Sequence, residues 1–128
     1  MEFCYTILYV ENVTATIEFY ENAFGLKRRM VMEGEYGELD TGATKLAFAA
    51  EKFVASFLTL PHQKSGIKAD VPPAELGLVT DDVQAAFDKA VAAGAVSVLT
   101  PEVKPWGQTV GYVRDNNGFL VEICTKVD

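Results

Sequence analysis

Glu75–Gly94, ELGLVTDDVQAAFDKAVAAG, decides the fold. Its first six residues, Glu75–Thr80, are bounded by Pro72-Pro73 and an acidic pair, and they read as a strand. Asp81 follows as a helix cap, with Gln84 three residues on in the capping-box arrangement, and Asp82 reads as a cap as well. Val83, Phe87, Ala90 and Val91 recur at helical spacing and form one buried stripe, and Gly94 ends the helix. Downstream, strands are predicted near residues 95–99 and 108–114. Asp115-Asn116-Asn117-Gly118 forms a turn, because Asn and Gly accept positive φ, and Phe119–Thr125 is the last strand. The unit is βαβββ.

The same course runs once before. Shifting the chain by 70 residues aligns Leu8 with Leu78, Val13 with Val83, Ala15 with Ala85, Ala23 with Ala93 and Gly37 with Gly107. Tyr36 falls on Trp106 in the same register. Tyr5–Val10 is rich in β-branched and aromatic residues, a strand signal. Asn12 is an N-cap, and Val13, Ile17, Tyr20 and Phe24 give the helical stripe that Gly25 stops. Strands follow near 26–33 and 35–41, and Lys45–Ala50 comes after a hairpin turn at Thr41-Gly42-Ala43. The expectation is an α+β fold in a single domain, residues 1–128. Module one spans about 3–59, a linker with Pro61, Gly66, Pro72 and Pro73 spans 60–74, and module two spans about 75–126. Two such tandem βαβββ modules would form a cupped eight-strand mixed sheet around a cavity.

Composition narrows the function. The chain has 128 residues, 49% hydrophobic and 23% charged, enough to bury a core without a disulfide or structural metal. Its net charge of −7 and lack of a basic stripe argue against nucleic acid and anionic membranes as partners, and favour cationic small molecules. No apolar run reaches the length of a membrane span and Met1–Tyr5 is not a secretion signal, so a cytoplasmic protein with two reduced thiols, Cys4 and Cys124, is expected. With His62 as its single histidine, the chain has no site that needs two His ligands, and His62 itself reads as a solvated loop side chain.

Strand alternation identifies the positions that face the cup. Val121 and Ile123 pack under the helix, leaving Leu120, Glu122 and Cys124 on the other face; Leu76 and Leu78 likewise leave Glu75, Gly77 and Val79. The repeat maps Glu75 onto Tyr5, and Glu122 onto Ala47 at an offset of 75. Tyr5, Ala47, Glu75 and Glu122 are therefore expected to converge on one cavity. Tyr9 and Tyr112 line it or serve as packing. Trp106, between Pro105 and Gly107, reads equally as a stacking wall for a planar ligand or as bulk that anchors a loop.

Five segments carry a family resemblance: Phe19–Leu26, Asp82–Ala86, Ala93–Ala95, Pro105–Gln108 and Arg114–Ile123. Through them the chain resembles the vicinal oxygen chelate superfamily, which includes glyoxalase I, extradiol dioxygenases and the fosfomycin- and bleomycin-resistance proteins. The resemblance spans essentially the whole chain. It implies His, Gln or Glu at the four inward positions of metal-dependent members, where a divalent ion chelates two substrate oxygens. Here Glu122 matches, Glu75 stands where histidine is common, Tyr5 is a poor ligand, and Ala47 cannot ligate. No cofactor is expected, and Glu75 and Glu122 are the only candidates for holding a metal.

Two functions follow as expectations. One is a metal-independent small-molecule binding protein of the bleomycin-resistance type, sequestering a cationic or aromatic ligand on Tyr5, Tyr9, Ala47, Glu75, Trp106, Tyr112 and Glu122. The alternative is a glyoxalase-type lyase or isomerase, with Glu122 or Glu75 as catalytic base or metal ligand. The family resemblance also implies a homodimer.

Overall fold

The computed structural model describes residues 1–127. The chain divides into two compact units, Met1–Ser65 and a second that begins at Gly66. In the first, β1 (Tyr5–Val10), α1 (Val13–Phe24), β2 (Lys27–Met32), β3 (Tyr36–Asp40), β4 (Lys45–Ala50) and a short α2 (Glu51–Ala55) follow in order. In the second come β5 (Glu75–Val79), α3 (Val83–Ala92), β6 (Val96–Val103), β7 (Thr109–Arg114) and β8 (Leu120–Cys124). The eight strands are hydrogen-bonded as two four-stranded sheets, in the orders β1-β4-β3-β2 and β5-β8-β7-β6. Each sheet is mixed: β1–β4 and β5–β8 run parallel, the other pairs antiparallel.

Both long helices start where a short polar side chain can satisfy an orphan N–H. Asn12 Oδ1 accepts from Ala15 N at 2.9 Å, and Asp82 Oδ1 accepts from Ala85 N at 3.0 Å. The cap of α3 is therefore Asp82 rather than Asp81. The capping box through Gln84 does not form, because that amide donates to Asp88 Oδ1 at 2.9 Å instead. Gly25 ends α1 in the left-handed region at φ 67°.

Helix α1 lays Val13, Ile17 and Tyr20 on its sheet, where Tyr20 meets Phe48 at a ring separation of 5.0 Å; all four are 1% exposed or less. Burying each such side chain stabilises the fold by roughly 1.5–3 kcal/mol. The helix can lie this close because Gly37 has no side chain: a Cβ there would stand 3.0 Å from Val13 and 3.2 Å from Ile17. Gly111 does the same beneath α3, where a Cβ would meet Phe87 at 3.2 Å.

These two glycines correct the repeat. Gly37 pairs with Phe48 and Gly111 with Ile123, so Gly37 corresponds to Gly111 and not to Gly107. Tyr36, opposite Ala49, corresponds to Val110, opposite Cys124, and not to Trp106. The shift has a physical cause. Strand β6 runs to Val103, past the expected end near residue 99, and the extra length displaces everything after it. The turn after β7 also differs in detail: Gly118 has φ 86°, while among the described residues no non-glycine takes positive φ. Asp115 Oδ1 organises that turn by accepting from Asn117 N and Phe119 N at 2.8 and 2.9 Å.

Candidate functional site

Each sheet has one face under its helix and one free of it. In the second unit Gly111 marks the helix face, so its ladder neighbours on the other side are Tyr112, Glu122 and Gly77, which lie in register across β7, β8 and β5. Glu75 precedes Gly77 by two residues and Cys124 follows Glu122 by two, placing both on the same face. This brings Glu75, Gly77, Tyr112, Glu122 and Cys124, all singled out in the sequence, onto one face.

Tyr112 Oη donates to Glu122 Oε2 at 2.7 Å. Glu75 lies on the same face, close enough that each carboxyl shifts the protonation of the other. Their protonation is split. Desolvation, the hydrogen bond with Glu122 and its charge raise Glu75 above the ordinary value of 4.5, against a smaller opposing bond from Tyr112. Desolvation also pushes Glu122 upward, but bonds from Tyr112, Cys124 and Glu75 outweigh it and leave this carboxyl below its ordinary value. The hydrogen bond to Glu122 and burial keep the Tyr112 phenol protonated well above its usual range. Burial and the same carboxylate push the Cys124 thiol up to about 11, so it is a neutral donor and no nucleophile near neutral pH. Among the described residues no Lys, Arg or His pairs with Glu75 or Glu122. The group is a pair of acids with one preferred proton and a fixed phenol.

Trp106 lies in the β6–β7 turn, 64% exposed. Its Nε1 donates to Gln108 Oε1 at 2.8 Å, and Gln108 in turn bonds the Thr125 carbonyl at 2.8 Å and reaches Cys124. The indole is thereby tied through Gln108 to the chain just past β8 while keeping much of its surface open.

The first unit carries different chemistry at matching stations. Tyr5 is 51% exposed, and Ala47 is fully buried, with Ile7 and Glu38 beside it in the ladder. Sequence reading missed Glu38. It is a buried carboxylate with both oxygens occupied, Oε1 by Arg29 Nε at 3.1 Å and Oε2 by Tyr36 Oη at 2.8 Å. A lone acid between Gly37 and Leu39 on a buried strand was the available signal, since such a charge needs a partner. Desolvation, then the bond to Glu38, raises the Tyr36 phenol well above its usual range. Tyr9 is half-buried and engaged elsewhere: its ring meets His62 edge-on at 5.1 Å, and its carbonyl accepts from Ser65 Oγ at 2.7 Å. His62 is thus held by partners rather than simply solvated.

A cavity of about 910 Å³ lies at the N-terminal end of α1, lined by Glu11, Asn12, Glu18, Glu33, Glu51 and Lys52 among others. It includes none of the predicted site residues.

At the four stations where the resembled family holds its metal, this chain presents a phenol, a methyl group and two carboxylates. Ala47 has no donor atom, and one Glu122 oxygen is already committed to Tyr112. Among the described residues no three His, Cys, Asp or Glu side chains gather to hold a metal ion. Taken by itself, the second unit supplies only Glu75 and Glu122, fewer than the three protein ligands that catalytic metal sites use.

A family model described as Glyoxalase/Bleomycin resistance protein/Dioxygenase superfamily matches residues 3–123. Among solved structures, the chain is similar to a glyoxalase-related enzyme from Fulvimarina pelagi, at 19% identity and TM-score 0.84, covering 98% of this chain and 88% of that one. It is also similar to a glyoxalase/bleomycin resistance protein/dioxygenase family enzyme from Burkholderia phytofirmans PsJN, at 21% identity and TM-score 0.76, covering 99% and 100%. A lactoylglutathione lyase from Agrobacterium tumefaciens aligns at 20% identity and TM-score 0.71, covering 97% and 92%. At these identities the likeness carries the fold alone. No curated protein matches the chain.

Proposed function

The chain belongs to the glyoxalase/bleomycin resistance protein/dioxygenase superfamily, and from that premise we propose that it binds a small organic cation without a metal, through Glu75 and Glu122. One observation carries the reading: two carboxyls on one sheet face that shift each other's protonation, with Tyr112 donating to Glu122 and no cationic side chain paired to either acid among the described residues. Such a pair holds a proton only because like charges side by side are unfavourable. An ammonium or amidinium group replaces that proton and satisfies both acids. At about 4 Å each charge contact contributes about 1 kcal/mol in bulk water and about 4 kcal/mol near a protein surface. Trp106 adds a face on which a planar cation stacks.

Proflavine, a planar cation, is a suitable probe. At a free concentration 100 times its dissociation constant it stabilises the fold by about 2.7 kcal/mol, and Glu75→Gln/Glu122→Gln abolishes that shift. If neither proflavine nor other planar cations move the melting temperature, the reading fails.

The opposite protonation tendencies of Glu75 and Glu122 favour a second reading, a proton-transferring lyase or isomerase, because paired acids split in this way are suited to giving and taking a proton. Turnover of the methylglyoxal–glutathione adduct, lost in Glu122→Gln, would establish it in place of sequestration. Both readings expect a homodimer, which sedimentation velocity measures directly.

A further inference from the structure

We infer that residues 60–65 form a strap whose hold on the first unit opens and closes with a single proton on His62. The geometry demands that proton. His62 Nε2 lies 2.8 Å from Glu51 Oε2, and Nδ1 lies 3.3 Å from the Leu60 carbonyl oxygen. Both partners are acceptors. A neutral imidazole has one N–H and can serve only one of them; the imidazolium serves both. The ring also meets Tyr9 of β1 edge-on, and Ser65 Oγ bonds the Tyr9 carbonyl, so the segment is fastened to α2 and β1 together.

Glu51 makes the latch sensitive to the loss of that proton. Its Oε1 is buried without a hydrogen-bond partner, so the His62 contact is what its carboxylate has. The titratable groups that face His62 are Glu51 from α2, Tyr9 from β1, and Lys64 on the strap itself. The Glu51 hydrogen bond and then the Leu60 carbonyl raise His62 above its ordinary value of 6.5, against desolvation and the charge of Lys64. For a base raised on folding, the contact is fully present below the ordinary value and is lost as pH rises through the raised one. The strap is therefore closed in mild acid and opens as pH climbs above 6.5.

The far half of the connector has no such sensitivity. Arg114 clasps it inside the second unit: Nε donates to the Gly118 carbonyl at 2.8 Å, Nη1 to Ile67 at 3.2 Å and Nη2 to Ala69 at 2.8 Å. A guanidinium stays charged at every relevant pH. One end of the connector is thus clamped permanently and the other by a titrating group, so pH sets how much of the chain between the units is free.

The single histidine makes the test clean. In the full chain, the His62 imidazole is followed by NMR from pH 5 to 9, alongside Glu51→Gln. Tryptic cleavage after Lys64 is measured at pH 6 and pH 9, with His62→Gln as reference. The expected result is a wild-type titration above 6.5 that falls back in Glu51→Gln. Cleavage should be about two- to fivefold slower than in His62→Gln at pH 6, the range an exposed ion pair commands, and equal at pH 9. A titration unmoved by Glu51→Gln, or a cleavage ratio that does not change with pH, overturns the inference.

Discussion

Gly77 offers the sharpest separation of fold from function. It sits in the middle of β5, opposite Glu122 in the ladder and two residues from Glu75, and a Cβ placed on it meets nothing within 4 Å. Its backbone is not in the positive-φ region, so a β-branched side chain fits the strand. Replacing a strand glycine removes an entropic cost of about 0.5–1 kcal/mol. Unfolding entropy near 2.1 cal/mol/K per residue gives about 0.27 kcal/mol/K for a chain of this size. Gly77→Val should therefore raise the melting temperature of the free protein by about 2–4 °C. The same side chain projects beside the acid pair, where the proposed cation sits, and should weaken proflavine at least tenfold, about 1.4 kcal/mol. Scanning calorimetry with and without proflavine reads both numbers in one experiment. A melting temperature that falls by more than about 2 °C would show that this face of β5 is packed rather than open. An undiminished proflavine shift would show that the cation does not use the Glu75–Glu122 pair.

Four further outcomes follow from the same structure. Gly118→Ala combines a left-handed φ of 86° with a Cβ only 2.5 Å from Arg114 Nη2 and even nearer the Gly66 carbonyl oxygen; thermal melts should fall by about 10 °C. Gly34→Ala, at φ 77° with nothing within 4 Å, pays only the conformational part and should lose less than half as much. Glu75→Gln should leave stability unchanged below pH 4.5 and raise it progressively above, because the raised carboxyl costs stability as it is forced to ionise; melts across pH 3–8 check the sign. Phe48→Ala should cost about 3–5 kcal/mol in denaturant titrations, since it empties the contact between Tyr20 and the sheet centre.

Most of the fold was legible in the sequence because each element announces itself locally. The helical stripes, the Asn12 cap and the Gly25 stop are short-range signals, and eight strands separate at turn residues. What escaped lacks such signals. Helix α2 is five residues long and its N-cap is Ala50, which offers no side-chain cap, so neither periodicity nor capping marks it. Strand β6 continues through Pro101, which reads as a breaker. Proline is tolerated there because β6 is an edge strand whose pairing with β7 is irregular between Leu99 and Glu102, leaving Pro101 out of the regular register. Choosing Asp82 over Asp81 as the cap is a one-residue decision between two equally suitable side chains, settled only by the helix's own start at Val83.

The site was half legible for a related reason. Alternation tells which residues share a face, but not which partners meet across strands. Glu122 was visible as an inward acid, whereas its bond to Tyr112 depends on the β7–β8 register. That register also shows what became of the first unit. Glu38 stands at the station that corresponds to Tyr112, and Ala47 at the one that corresponds to Glu122. The acid of the first unit is thus one strand over from its counterpart, with a phenol donating to it in each case. The two carboxylates differ in what remains free. Arg29 neutralises Glu38 and Tyr36 takes its second oxygen, while Glu122 has the phenol and an acid for neighbours and, among the described residues, no paired cation. A ligand cation gains little beside a carboxylate that already has its counter-ion. It gains most where two acids compete over one proton, which is why the proposed cation site is built on Glu75 and Glu122 rather than on Glu38.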